Sequence, residues 1–265
     1  MVTRAPSPEL LTLGRGIVRW RPIKDDGTLG PMLDMGNVEQ LSINTADTKL
    51  TKNSSRTSKV TIYKQTTSQR VVTVTIVGDE FDTDVLAAVF MGSVVDVDAT
   101  AGATVTAEAL GTPGDLDVIL QLAHPLVSAV VLKHTSTTYD EGTDYEVVDA
   151  KRGLVKILST GTITGTDPLT ADYTWAAAGA YRKIIGGSET VREAKLFFAA
   201  DNADGPNRDL VAFRASLAPD GDQGFISDDF GTWTLKCTLE DDSAGVYGGS
   251  VDSPLYEMSD APADA

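Results

Sequence analysis

Little in this sequence speaks for chemistry. It has one cysteine, two histidines and 6% aromatic residues, and no apolar run nears the ~18 residues of a membrane span. A lone Cys237 leaves no disulfide framework, which a secreted β protein of this length would often carry. The opening Met1-Val2-Thr3-Arg4-Ala5-Pro6-Ser7-Pro8 lacks the apolar stretch of a signal peptide, so maturation in the cytosol is expected. His124 and His134 are the only acid–base groups with ordinary pKa values near neutrality, and neither stands in metal or triad spacing. There is no Gly-x-Ser-x-Gly elbow, His-Glu-x-x-His pair, phosphate loop or Cys-x-x-Cys pair. The reading is therefore non-enzymatic, with no catalytic, cofactor-binding or metal residue assigned and no cofactor expected.

The acid clusters do not alter that reading. Asp201-Asn202-Ala203-Asp204-Gly205 superficially suggests a calcium loop, but it lacks the alternating ligand order and the closing glutamate. Asp228-Asp229 and Glu240-Asp241-Asp242 read as solvated turn acids. A glycosidase-type carboxylate pair would lack an aromatic platform.

One absence is local. The chain carries a net charge of -16, yet no acidic residue lies between Asp47 and Asp79, where Lys49, Lys52, Arg56, Lys59, Lys64 and Arg70 all stand. Three readings are open for this stretch. It is a nucleic-acid contact, a solvated hairpin, or a basic loop that docks on the acidic body of another copy. Tyr63 is its only aromatic, so stacking groups for nucleic acid are missing. The self-complementary reading fits the acidic remainder best.

What the sequence does hold is β signal. Val71-Val72-Thr73-Val74-Thr75-Ile76-Val77 is rich in β-branched residues. Trp233-Thr234-Leu235-Lys236-Cys237-Thr238-Leu239 alternates, which puts Trp233, Leu235, Cys237 and Leu239 on one buried face. Residues 14–20 predict a first strand stopped by Pro22. Leu196-Phe197-Phe198 and Leu210-Val211-Ala212-Phe213 predict two more, on either side of a turn-rich segment. One helix is predicted over residues 79–92, with Phe81, Val85, Leu86, Val89 and Phe90 as its apolar stripe. Residues 99–178, flanked by small-residue runs, predict a separate unit with strands at 127–132, 145–148, 154–158 and 173–175. Gly153 there closes a bulged hairpin turn. Pro254, Pro262 and the acids of residues 253–265 predict a loose tail or arm. The expected fold is mostly β: two packed β-sheets with one flanking helix, plus a small inserted β-sandwich. The expected domains are 1–98 and 179–265, which build one β domain with a C-terminal arm, and the insert at 99–178.

The order of these elements resembles the major tail tube proteins of long-tailed bacteriophages. The residues that carry the likeness are Gly14-Arg15-Gly16-Ile17-Val18-Arg19-Trp20, Met35-Gly36-Asn37-Val38-Glu39, the polar stretch 42–68, the strand 71–77 and the helical segment 79–92. The second half adds Ala200-Asp201-Asn202-Ala203-Asp204-Gly205-Pro206-Asn207-Arg208-Asp209, Pro219-Asp220-Gly221-Asp222 and the strand 232–239. Tyr139-Asp140-Glu141-Gly142-Thr143-Asp144-Tyr145 is similar to small β modules of phage structural proteins. The resemblance implies a tail-tube-like sandwich or barrel whose subunits form hexameric rings stacked into a tube for DNA ejection. It implies a virion tail location after assembly in the host cytoplasm. The partners it implies are copies of the same chain and tail-end and connector proteins. It also implies that a tape-measure protein and DNA pass through the lumen without specific binding, and that no membrane is involved. By position the family's stacking loop falls on residues 45–69, with Lys49, Lys52, Arg56 and Lys59 as the inter-ring contacts and Trp233, Leu235 and Leu239 as core. The insert departs from the minimal family pattern and is expected to be displayed outward. The alternatives are a decoration or capsid-associated protein of the virion and, more distantly, a carbohydrate-binding or hydrolytic β-sandwich.

Overall fold

The structure, a computed structural model, describes residues 11–56 and 58–261. The chain divides into two compact units. One is built from the residues up to Val95 together with those from Ile184 onward, the other from Asp96–Lys183. The first unit begins with β1 (Gly16–Ile23), β2 (Leu33–Asp34), β3 (Val38–Asn53), β4 (Ile62–Gly78) and helix α1 (Thr83–Val89). After β5 (Ser93–Val97) come β6 (Ala103–Gly111), β7 (Ile119–Gln121), β8 (Val127–His134) and β9 (Thr137–Thr138). The second unit continues with β10 (Tyr145–Asp149), β11 (Leu154–Ile157) and β12 (Leu169–Trp175). The chain returns along β13 (Tyr181–Ile185), which pairs with β5 where the division falls. The first unit then closes with β14 (Arg192–Ala200), β15 (Arg208–Pro219), β16 (Trp233–Leu239) and β17 (Tyr256–Asp260).

Eight strands of the first unit form one sheet in the order β2-β1-β14-β15-β16-β4-β3, with β17 beside β15. β15 gives one whole edge to β14 and divides the other, its first half pairing β17 and its second half β16. The order itself dictates a rolled sheet. β2 and β3 stand at opposite ends of the path, which would put them ~29 Å apart if the strands lay flat at ~4.8 Å spacing. Yet only Met35, Gly36 and Asn37 join them, a reach of at most ~14 Å. The two ends must therefore approach each other, and one groove is lined by both Gly16–Val18 and Val38–Leu41. The mostly β architecture with a flanking helix is thus observed, and the layers that face each other across this core are two sides of one curled sheet.

The core explains the alternation. Val18 and Trp20, Val72, Val74 and Ile76, and Trp233, Leu235, Cys237 and Leu239 point to the same interior, joined by Leu196, Leu217 and Met35. Trp233 is fixed at its rim as well, because its indole N–H donates to the Glu80 carbonyl at 2.8 Å. Its ring lies so close to Gly78 that an added Cβ there would sit 2.4 Å from Cζ2, so only glycine fits. Helix α1 adds Val85, Ala88 and Val89 to this core and packs on β15 and β16.

Four local expectations are corrected. The helix starts at Thr83 with Asp82 as its N-cap, because Asp79 and Glu80 are committed elsewhere: Asn37 donates its side-chain N–H to Asp79 and its backbone N–H to the Glu80 carboxylate. Phe81 consequently lies outside the helix and is exposed. β1 runs through Pro22 to Ile23, since on the edge beyond the Arg19 and Trp20 pairs Pro22 is needed only as an acceptor, its carbonyl taking the Gly30 N–H at 2.7 Å. Tyr256–Asp260 is a strand of the sheet, because the first half of β15 offers it an otherwise empty edge; residues 262–265 lie outside the described residues. Asp242 is buried, with Val246, Tyr247 and Gly249 donating backbone N–H groups to it at 2.8–3.0 Å, so this acid pins a loop.

The second unit has a four-stranded sheet, β6-β12-β8-β9, and a three-stranded sheet, β10-β11-β7, sharing one core. Leu132, Leu169 and Tyr173 meet Tyr145, Val155 and Ile157 in it. Gly153 takes φ of 66° in the turn between β10 and β11. Asp144, also buried, accepts N–H groups from Asp140 and Thr162 and the Thr162 hydroxyl, and these bonds, the backbone one from Thr162 first, hold its carboxyl below the usual range.

Candidate functional site

The first unit carries a feature that its own core does not require. β4 pairs with β16 over Thr73–Gly78; from Val72 outward its sole partner among the described residues is β3. The register of that pair runs from Val38 opposite Gly78 to Asn53 opposite Ile62, and Ser54 donates to the Thr61 carbonyl near the tip. Residues 42–53 and 58–70 are exposed on both faces, so the distal part is a two-stranded arm with no core. Isolated two-stranded hairpins are marginal in water, and this one extends only because its base is locked into the sheet.

An ion pair marks the root of the arm. Arg70 Nε and Nη2 donate to the two oxygens of Asp47 at 2.8 and 3.1 Å, which lowers the Asp47 pKa and raises that of Arg70. Beyond it lies no acid. Lys49 and Lys52 stand on β3, Arg56 and Lys59 in the tip, and Lys64 on β4, all exposed. Lys52 is directly opposite Lys64, a like-charge juxtaposition that destabilises the free hairpin. By strand alternation Leu50, Lys52, Lys64 and Thr66 share one face, so that face is apolar and cationic together, while the register shift between Lys52 and Asn53 pairs Ile62 with Asn53 on the other. Val60 and Tyr63 add further exposed apolar surface near the tip.

The proposed core set lies elsewhere. Trp233, Leu235 and Leu239 are buried at the base of the same hairpin, on β16 beside β4. β3 ends the sheet order, so its outer edge carries no ladder among the described residues.

The titratable groups are structural in their geometry. In the second unit, Tyr173 donates to Glu108 and lies 2.8 Å from His124 Nδ1, while His124 stacks on Trp175 at 4.7 Å between centroids. Burial first, and the Glu108 bond second, push the Tyr173 hydroxyl up to about 12, so it stays a donor that ties β12 to β6. His134 lies 3.4 Å from Asp167 at the end of β8. Burial pushes the Cys237 thiol up to about 12 as well. Among the described residues no three His, Cys, Asp or Glu side chains gather as a metal site. None of the described helices is long and apolar enough to cross a membrane.

The family described as "Protein of unknown function UCP028589" matches residues 11–251, which spans both units. The chain belongs to that family. No curated protein matches it.

Sequence reasoning missed the loop between β15 and β16. Phe225, Ile226 and Phe230 stand there with Asp220, Asp222, Asp228 and Asp229, and the three apolar side chains are 82, 98 and 97% exposed. The signal was present as three large apolar residues inside a glycine- and aspartate-rich turn segment, with no period to bury them.

Proposed function

We propose that this protein is a self-assembling structural subunit, and that its resemblance to tail tube proteins reflects a shared role as stacked rings forming a virion tube for DNA ejection. The observation that carries the reading is the cationic arm. A hairpin of two long strands, wet on both faces and self-repelling at Lys52 and Lys64, has no intramolecular purpose, whereas an acidic second copy would satisfy it. Two further features support it. Among the described residues the rolled sheet leaves the outer edge of β3 unpaired, an edge that pairing between copies would cover, and the body on which the arm would dock is strongly acidic. A net charge of -16 per subunit also suits a conduit that must not hold DNA. No catalytic role is part of this reading.

Negative-stain images of the purified full-length chain test it. Rings or tubes of uniform bore are expected. Dispersed monomers at every concentration and ionic strength would overturn the proposal, and DNA-dependent aggregation would revive the nucleic-acid reading of the arm.

A further inference from the structure

We infer that the tip of the hairpin arm docks, on a second copy of this chain, into the apolar cavity between α1 and the loop 220–231. This rests on the self-assembly reading and names its acceptor. The cavity, about 370 Å³, is lined by Phe81, Leu86, Gly224, Phe225 and Gly231, with Ser227 and Asp229 beside them. Phe225 is held over α1 by stacking on Phe90, with ring centroids 5.8 Å apart and planes 8° from parallel. The same ring remains largely exposed, as do Ile226 and Phe230, so the loop turns three large apolar side chains to solvent within six residues at the mouth of an apolar cavity.

Charge decides what covers it. Residues 220–231 hold Asp220, Asp222, Asp228 and Asp229 and no lysine or arginine. The arm beyond its root holds Lys49, Lys52, Arg56, Lys59 and Lys64 and no acid, and it exposes Val60, Ile62 and Tyr63 at its tip. Each surface is an apolar centre within charges of one sign, and the signs are opposite, which is the anatomy of a specific interface.

The arm of the same chain cannot fill the cavity. α1 follows the base of β4, whereas the tip precedes the other end of a strand of 17 residues. At ~3.3 Å per residue that separation is roughly 50 Å. Donor and acceptor surfaces thus sit at opposite ends of β4, and between copies that point the same way, as in a stack, the docking is heterologous and head-to-tail. Such contacts propagate or close into rings and do not pair two copies symmetrically.

The test uses the full-length chain in sedimentation velocity, with circular dichroism to verify each fold. Truncating two anchors, Phe225→Ala with Phe230→Ala, should raise the concentration at which polymers form by about a hundredfold, tenfold for each. Reversal of the arm (Lys49, Lys52, Arg56 and Lys64 to Glu) and reversal of the acceptor (Asp222, Asp228 and Asp229 to Lys) should each abolish assembly. Mixed in equal amounts, the two reversed proteins should co-assemble, because each reversed surface then meets its opposite. If the acceptor variants assemble as wild type does, or if the mixture stays monomeric, the arm docks elsewhere and this inference is overturned. A wild-type chain that never assembles overturns the self-assembly reading, and the acceptor falls with it.

Discussion

The two halves of β4 are built on different rules. From Val72 to Gly78 every second residue is buried, because β16 lies on one flank and the core below. From Ile62 to Arg70 nothing is buried, and the strand persists only through its ladder to β3. A single strand can therefore obey the period of a half-buried sheet at one end and ignore it at the other. Hydrogen-bond register, set at the base, carries extended structure into a segment that hydrophobic burial would never specify. The proximal half stabilises the fold; the distal half is free to serve a partner.

The sharpest way to break this contrast is to truncate both halves. Trp233→Ala at the base should destabilise the first unit by about 3–5 kcal/mol, as a fully buried aromatic does when removed. Tyr63→Ala on the arm should change stability by no more than ~0.5 kcal/mol. Chemical denaturation followed by tryptophan fluorescence measures both. Equal effects would mean that the arm is packed in solution.

Gly78→Ala probes the base without removing any contact. The new methyl would intrude on the Trp233 ring and on the Asn37 carbonyl, 3.0 Å away, for a destabilisation of ~1–3 kcal/mol. A stability unchanged from wild type would show that Trp233 has room to move.

Reversing Lys49, Lys52, Arg56 and Lys59 to Glu should leave the melting temperature nearly unchanged while abolishing growth of assemblies, read by light scattering. Wild-type assembly should also slow as ionic strength rises past ~0.1–0.15 M, where screening reaches ~8–10 Å. Assemblies of normal length and rate from the reversed variant would return the arm to a merely solvated hairpin.

The root pair sets a smaller, pH-dependent effect. The hydrogen bonds from Arg70 hold the Asp47 pKa below its unfolded value, so its contribution is complete above pH ~4 and is lost as pH falls through the lower folded value. Nuclear magnetic resonance should therefore show cross-strand contacts of the arm weakening in acid before those of residues 73–78 do. Simultaneous loss would mean the two halves unfold as one.

The smallest expected signal is chemical silence at Cys237. A thiol this buried, with its pKa pushed up to about 12, should resist alkylation until the base unfolds. Rapid labelling of the native protein would show that β16 opens locally.

These elements differ in how far the sequence reveals them. The alternation of Trp233, Leu235, Cys237 and Leu239 predicts β16 from its first residue to its last, with its buried face. The β-branched run predicts the proximal half of β4. The arm shows in sequence chiefly as a charge anomaly, and β3 carries little strand signal because beyond Leu41 both of its faces are wet. The tail at Tyr256–Asp260 reads as irregular from its prolines and acids, yet half an edge of β15 stands open to it. The acid run around Asp242 reads as solvated, and nothing local tells that three backbone N–H groups converge on one of its carboxylates.

By itself the sequence determined what depends on near neighbours: a mostly β chain, the strands with a period, the turn at Gly153 and the segregation of charge. Tertiary structure alone decided that the sheet rolls, because that follows from which strands lie side by side and from three residues joining its two ends. It decided too that a basic arm and an acidic, aromatic-bearing loop lie at opposite ends of one strand. Such placement is a property of long-range pairing, and no local pattern of side chains encodes it.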